Sequence, residues 1–221
     1  MSEANSRLAP DGMAEGLSQK EFSRRNFVKV AAAGGAALAA AGIGGVGFMA
    51  RPAHAVHEGY AAAGPAAIVT LAYQLELLEG TFYDQGVNAG LFSGNALTQI
   101  ATIRDHEMAH ADALAGILNE IGEPVPATPN FTFPEGVFAD PVAFLDLAAT
   151  FEPVGIGAYQ GAAPALIGSE YLAPALSIHN AEGQHRVAIN ILQGIVPPNN
   201  LAFGEALPLA EVQEAVAPFG L

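Results

Sequence analysis

A Glu-x-x-His motif occurs twice in the sequence, as Glu107-Met108-Ala109-His110 and as Glu182-Gly183-Gln184-His185. Each copy lies in a stretch whose apolar residues recur every three or four positions, which is the pattern of an amphipathic helix. Residues three apart share one helix face, so each motif presents a carboxylate and an imidazole to one point. Both motifs fall in the middle of the apolar stripe and are predicted to face the core. A buried, unpaired carboxylate is costly, so each pair needs a proton, a partner or a metal ion.

The rest of the chain supplies the other helices of an all-α fold. Apolar residues at helical spacing predict four helices, at about 65–87, 95–121, 141–167 and 172–193, and a short C-terminal helix at 209–216. No stretch alternates with the two-residue period of a strand. The proline-rich segment 123–139 is long enough, when extended, to run the length of a bundle. We therefore expect a four-helix bundle with one long crossover between the second and third helices.

An internal repeat supplies further candidate ligands. Glu76 in the first predicted helix is followed seven residues later by Tyr83, and Glu152 in the third is followed at the same distance by Tyr159. Seven residues is two helical turns, so each tyrosine lies on the side of its glutamate and can hydrogen-bond a neighbouring ligand. Four glutamates and two histidines then converge, as in carboxylate-bridged dinuclear sites of four-helix bundles. The predicted metal ligands are Glu76, Glu107, His110, Glu152, Glu182 and His185.

Two details leave this ligand set open. Residue spacing favours Glu76 as the ligand of the first helix, whereas helical phase favours Glu79, which is kept as a residue beside the ligands. Pro153 directly follows Glu152 inside the third predicted helix, where it removes one backbone hydrogen bond, and a kink there would displace Glu152. His106 and His179 flank the ligand pairs, and we expect them to be solvated or to support a ligand rather than to bind metal.

Composition excludes several classes of site and partner. The 221 residues contain no cysteine, which excludes disulfides, thiolate nucleophiles and cysteine-bound metals. Residues 56–221 hold 18 of the 22 acidic residues but only two basic residues besides histidine, Arg104 and Arg186. A nucleic acid would be repelled by this charge, and no basic stripe offers it a surface. Any metal must therefore bind to histidines and carboxylates.

The N-terminal 55 residues resemble an export signal. Ser23-Arg24-Arg25-Asn26-Phe27-Val28-Lys29 is similar to the twin-arginine motif and is followed by an uncharged Ala- and Gly-rich run over 30–50. Ala53-His54-Ala55 then offers the small-x-small triplet that signal peptidase requires. We expect cleavage after Ala55, which divides the chain into a signal peptide at 1–55 and a bundle domain at 56–221. A retained membrane anchor is the alternative, because 21 residues could just span a bilayer.

The ligand segments resemble the ferritin-like superfamily, and within it the exported proteins related to desiccation-associated proteins. The matching segments are Leu75–Tyr83, Asp105–His110, Phe151–Tyr159 and Glu182–His185. This resemblance implies two iron or manganese ions bridged by Glu107 and Glu182, with Glu76 and Glu152 as terminal ligands and one histidine on each ion. The spacing is also similar to that of dimanganese catalases.

Three functions are compatible with this resemblance. The leading hypothesis is a dinuclear redox protein that acts on dioxygen, peroxide or ferrous iron in the periplasm or outside the cell. The second is a stress or desiccation protein that keeps the fold without catalysing a reaction. The third is a metal-storage cage, which requires a large closed homo-oligomer. The expected partners are metal ions and small oxidants, and the membrane is contacted only through an uncleaved signal.

Overall fold

A computed structural model describes residues 53–221, with side chains from Val56 onward. The twin-arginine motif and the uncharged run that follows it lie outside the described residues. Within them the chain forms helices and no strands, as the sequence predicts. The α-helices are α1 (Ala53–Ala63), α2 (Pro65–Asn88), α3 (Gly94–Glu120), α4 (Pro141–Ala162), α5 (Leu172–Leu192) and α6 (Leu209–Val216), and 3₁₀ turns follow at Ala163–Leu166 and Ala217–Phe219.

Five of these helices match the predicted ones, and two differences have physical reasons. Helix α4 ends at Ala162 rather than near residue 167, because Pro164 has no backbone N–H and the chain continues as a 3₁₀ turn. Helix α1 is not among the predicted helices, and only its first three residues lie in the segment assigned to the signal. It meets α2 at an angle of 106°, and Gly64 makes this bend with φ 82°.

Two apolar clusters at opposite ends of the bundle show how the helices run. One cluster contains Phe82 near the end of α2 and Phe144 at the start of α4. The other contains Ile68 at the start of α2, Leu118 at the end of α3 and Ala162 at the end of α4. Helices α3 and α4 are therefore parallel to each other and antiparallel to α2. The segment 121–140 spans the bundle between them, as the predicted crossover requires.

Aromatic residues fasten this crossover to the bundle. Phe82 stacks on Phe144 with ring centroids 4.3 Å apart, and Phe133 and Phe138 from the crossover pack against Phe82. The Thr132 N–H donates to the Phe219 carbonyl at 3.0 Å, which ties the crossover to the C-terminal turn. This end of the bundle is consequently closed by an apolar layer.

Helix α4 also holds the segment that leads into α6. The Leu207 N–H donates to the Gly157 carbonyl at 2.9 Å, and a Cβ at Gly161 would lie 2.1 Å from the Leu207 carbonyl oxygen. Two glycines one turn apart thus let the backbone of the C-terminal segment contact the helix directly.

One stretch, Pro141–Leu166, is long and apolar enough to cross a membrane by length and composition. Helices α1 and α2 pass the same test only when the bent pair is counted as one span. In the bundle, 56% of the most apolar window of Pro141–Leu166 is buried. The apolar character of this stretch therefore fits its place in the core.

Candidate metal centre

The six predicted ligands meet at mid-height of the bundle. Glu76 comes from α2, Glu107 and His110 from α3, Glu152 from α4, and Glu182 and His185 from α5. All four glutamates are at most 2% exposed. The positions at the middle of the apolar stripes thus do face the core, as the helical periodicity predicts.

The ligand atoms form two overlapping groups, in each of which all atoms lie within 4.8 Å of one another. One group is Glu76, Glu107, His110 and Glu182, and the other is Glu107, Glu152, Glu182 and His185. Glu107 and Glu182 belong to both groups, so their carboxylates lie where bridging ligands would be required. The structure therefore brings together all six predicted residues, and their role as ligands remains a prediction.

Both histidines present Nδ1 to the glutamates. Nδ1 of His110 lies 3.0 Å from Glu76 Oε2, 3.2 Å from Glu107 Oε2 and 3.3 Å from Glu182 Oε1. Nδ1 of His185 lies 2.8 Å from Glu107 Oε1 without hydrogen-bond geometry. Each imidazole thus points one nitrogen at the place where the carboxylates converge.

The two tyrosines of the repeat hold the terminal glutamates crosswise. The Tyr83 hydroxyl from α2 donates to Glu152 Oε1 on α4, and the Tyr159 hydroxyl from α4 donates to Glu76 Oε1 at 2.5 Å. The sequence placed each tyrosine near a ligand, and the structure shows that the ligand belongs to the other half of the repeat. One oxygen of each terminal carboxylate is thereby fixed and the other faces the centre.

Burial and mutual repulsion raise the pKa of most of these carboxyl groups. Burial, followed by the charge of Glu182, raises the pKa of Glu76, Glu107 and Glu152, that of Glu152 to about 8. Burial would also raise the pKa of Glu182, but the nearby imidazoles of His110 and His185 outweigh it and lower the pKa. Protons or cations are therefore needed for these groups to stay together.

The pKa values of the two histidines are also raised, but for a different reason. Burial by itself lowers the pKa of His110, but its close contacts with Glu107, Glu182 and Glu76 raise it to about 11. The pKa of His185 is likewise raised, because Glu182 and Glu152 outweigh its burial. In the metal-free protein the surrounding glutamates thus favour the charged form of both imidazoles.

No other basic side chain balances this charge within residues 53–221. Besides histidine, that part of the sequence has only Arg104 and Arg186, and Arg104 pairs with Asp84 and Asp105 at the surface. Four buried carboxylate oxygens in the centre, Glu107 Oε1, Glu152 Oε2 and both oxygens of Glu182, have no hydrogen-bond partner. A donor set of carboxylates and imidazoles with free oxygen atoms fits a hard or intermediate divalent metal.

The positions of the side chains bear on the two open questions about the ligand set. Glu76 and Glu79 are both buried, at 2% and 4% exposure, and only Glu76 belongs to a ligand group. Helix α4 continues through Pro153, and Glu152 remains fully buried with Tyr83 as its donor. Glu152 thus stays with the other candidate ligands, and the displacement that a kink at Pro153 would cause is not seen.

His106 has a contact that the sequence did not specify. Its Nδ1 lies 2.9 Å from Nε2 of His185, the nitrogen that points away from the glutamates. Residue 106 immediately precedes Glu107, so it lies at the edge of the inward face rather than on it. His179, in contrast, has a buried Nε2 without a hydrogen-bond partner among the described residues.

A cavity of about 30 Å³ is lined by apolar side chains, among them Leu75 and Leu114, and by Tyr60 and Tyr159. The Tyr60 hydroxyl has no hydrogen-bond partner among the described residues. Tyr159 donates to Glu76, so the cavity lies next to a residue that holds a candidate ligand.

Comparison with known proteins agrees with this geometry. No curated protein matches the chain with significant similarity. A family model described as a ferritin-like domain matches residues 64–194, which include α2 to α5 and every candidate ligand. Because this match covers more than half of the sequence, the chain belongs to the ferritin-like domain family.

Proposed function

We propose that the protein holds two iron or manganese ions, one in each of the two ligand groups, with Glu107 and Glu182 shared between them. The observation that carries this proposal is the meeting of five buried glutamates with only two histidines as basic partners. Without metal, these carboxylates must take up protons or repel one another. Two divalent ions would neutralise the four glutamates of the ligand groups.

We further propose that the centre is redox-active towards dioxygen, peroxide or ferrous iron. Iron or manganese in a site of oxygen and imidazole donors supplies electron transfer by cycling between the +2 and +3 states. Tyr83 and Tyr159 hold the terminal carboxylates in place, and the apolar clusters at both ends of the bundle exclude water. The chain thus offers a largely buried site in which the ligand atoms require little rearrangement.

The place of action is also part of the proposal. A protein with the twin-arginine motif at 23–29 and the triplet at 53–55 is expected to be exported, because this order of features is that of a cleaved signal. The resemblance to exported desiccation-related proteins supports the same location.

The proposal is tested first by metal content. Protein purified from the compartment to which its own signal sends it should contain about two ions of iron or manganese per chain, measured by elemental analysis. The matched control is the double variant His110→Ala and His185→Ala, which keeps the glutamates and removes both imidazoles. Equal metal content in this control would show that the ligand assignment is wrong.

Reactivity and size separate the three functions. The protein is loaded anaerobically with Fe²⁺ or Mn²⁺, and oxidant consumption and absorbance are followed after dioxygen or peroxide is added. A rate no faster than that of the same metal in buffer refutes the redox function and favours the non-catalytic stress protein. A closed assembly of many chains, measured by light scattering together with the metal content, favours the storage cage instead.

A further inference from the structure

The two halves of the centre differ at the position three residues after each terminal glutamate. This position lies on the same helix face as the terminal glutamate. It is Glu79 after Glu76 but Gly155 after Glu152. The repeat thus has a carboxylate in α2 where α4 has no side chain at all.

The Glu79 side chain extends into the space that Gly155 leaves free. A Cβ placed on Gly155 would lie 3.2 Å from Glu79 Oε1 and 3.8 Å from Glu79 Oε2. It would also lie 3.4 Å from Glu182 Oε2, so Glu79 and Glu182 meet against the backbone of α4. Because Gly155 lies one turn beyond Glu152 on α4, the Glu79 carboxylate lies beside the helix that carries Glu152 and close to Glu182, outside the two ligand groups themselves.

The carboxylate of Glu79 needs a positive partner in this position. It is 4% exposed, and both oxygens of the adjacent Glu182 are buried without hydrogen bonds. Burial and the charges of the neighbouring glutamates raise its pKa well above the usual value.

We propose that Glu79 is an additional carboxylate ligand for the metal ion held by Glu107, Glu152, Glu182 and His185, and that it makes the two metal positions inequivalent. This inference rests on the proposed function, since it assigns a further residue to the same centre. The ion at that position has five protein ligands and the other has four. The additional negative charge also favours the +3 over the +2 state there, because the attraction grows with the charge of the ion.

The test is a titration of the metal-free protein with Mn²⁺. Binding is measured by calorimetry and by the electron paramagnetic resonance signal of free Mn²⁺. Wild-type protein should bind two ions in two distinguishable steps. Glu79→Gln, which keeps the shape and removes the charge, should weaken one step by about 10-fold to 100-fold and leave the other within about twofold. Unchanged binding of both ions by Glu79→Gln would overturn the proposal.

A second variant fills the space beside Glu79 by adding a side chain to α4. Gly155→Ala should displace the Glu79 carboxylate and weaken the same step, and combining it with Glu79→Gln should cause little further loss. The matched control is Gly116→Ala in α3, where an added Cβ has no neighbour within 4 Å and both steps should be retained. Circular dichroism establishes that each variant is folded, and additive losses in the double variant would contradict the proposal.

Metal binding by the wild-type protein distinguishes failure of the proposed function from failure of the role of Glu79. If wild-type protein binds neither Mn²⁺ nor Fe²⁺, the proposed dinuclear function is wrong, and the role of Glu79 is wrong with it. If wild-type protein binds two ions and Glu79→Gln binds them equally well, only the role of Glu79 is wrong.

Discussion

Nδ1 of His106 lies 2.9 Å from Nε2 of His185, so one candidate ligand has its outer nitrogen held by an imidazole at the protein surface. The two rings are nearly parallel, at 27°, with centroids 5.2 Å apart. The corresponding position of the other half, one residue before Glu182, is Ala181, which has no hydrogen-bonding group. The outer support of the two histidine ligands is therefore unequal.

Removal of this support should weaken metal binding without removing a ligand. His106→Ala is expected to lower metal affinity about 10-fold to 100-fold, because a partner of the outer nitrogen fixes the ring and its tautomer. His106→Gln, which can still hydrogen-bond His185, should restore part of the affinity. The control is His179→Ala on α5, and equal losses in both alanine variants would indicate a general effect on packing.

Loss of either proposed histidine ligand should lower metal content and also the gain in stability on metal binding. His110→Ala and His185→Ala should each reduce the increase in the unfolding midpoint that added Mn²⁺ produces, since a ligand bound only by the folded state stabilises it. Thermal unfolding with and without metal measures the difference. An increase as large as that of wild type in both variants would contradict the assignment.

The metal-free protein should become less stable as the pH rises. The pKa of Glu152 is raised to about 8 and that of His110 to about 11, and Glu76, Glu79 and Glu107 are shifted in the same direction. A group with a raised pKa in the folded state stabilises it fully below its unfolded pKa, and this contribution is lost as pH rises through the folded pKa. For the glutamates the loss begins above about 4.3, and for His110 above about 6.5.

The measurement is the unfolding midpoint between pH 5 and pH 9, in the presence of a chelator and then of excess Mn²⁺. The midpoint without metal should fall over this range, and Mn²⁺ should counteract the fall because its ligands bind in the deprotonated form. The lowered pKa of Glu182 acts in the opposite sense, since its contribution is lost as pH falls. A constant or rising midpoint without metal would disagree with the pKa shifts.

Gly161→Ala should destabilise the fold. The added Cβ would lie 2.1 Å from the Leu207 carbonyl oxygen and 2.8 Å from Tyr60 Cε2, so the backbone of the C-terminal segment must move. We expect a loss of about 1–3 kcal/mol in the free energy of unfolding, as for other overpacked cores. Gly116→Ala in α3 is the matched control and should gain about 0.5–1 kcal/mol, because it removes backbone entropy without a clash. Denaturant titration compares the two.

The export prediction is tested by the mass and N-terminus of the secreted protein. Cleavage after Ala55 should give a mature chain that begins at Val56. Replacement of Arg24 and Arg25 by lysine should reduce export, because the paired arginines are the recognised feature of the signal. A mature protein that still contains Phe27 would show that the signal is not removed.

The sequence predicted the helices that carry the site because their apolar periodicity is strong. Glu107 and Glu182 lie in the middle of apolar stripes. A charged residue in that position is costly to bury unless it has a proton, a partner or a metal ion. The repeat then located Glu76 and Glu152 by spacing. The ends of the helices were less well defined, as at Pro164, because a local hydrogen bond decides them.

Contacts between distant segments could not be predicted in the same way. The direction of the Tyr83 hydroxyl, towards Glu152 rather than Glu76, depends on the rotation of α2 against α4, which sequence spacing does not specify. Helical phase predicts that Glu79 faces the core, and the structure agrees. The space that its carboxylate occupies exists because residue 155, 76 positions later in the sequence, is glycine. The contact of His106 with His185 similarly requires the packing of α3 against α5.

The crossed hydrogen bonds from Tyr83 to Glu152 and from Tyr159 to Glu76 make the two helical hairpins dependent on each other. The hairpin of α2 and α3 carries Glu76, Glu107 and His110, and that of α4 and α5 carries the remaining three candidate ligands. Neither hairpin contains a complete ligand group. Each supplies the tyrosine that donates a hydrogen bond to the terminal carboxylate of the other. If the chain were cut within the crossover, the two hairpin fragments would consequently bind metal tightly only after they associate. Bound metal would in turn stabilise their association.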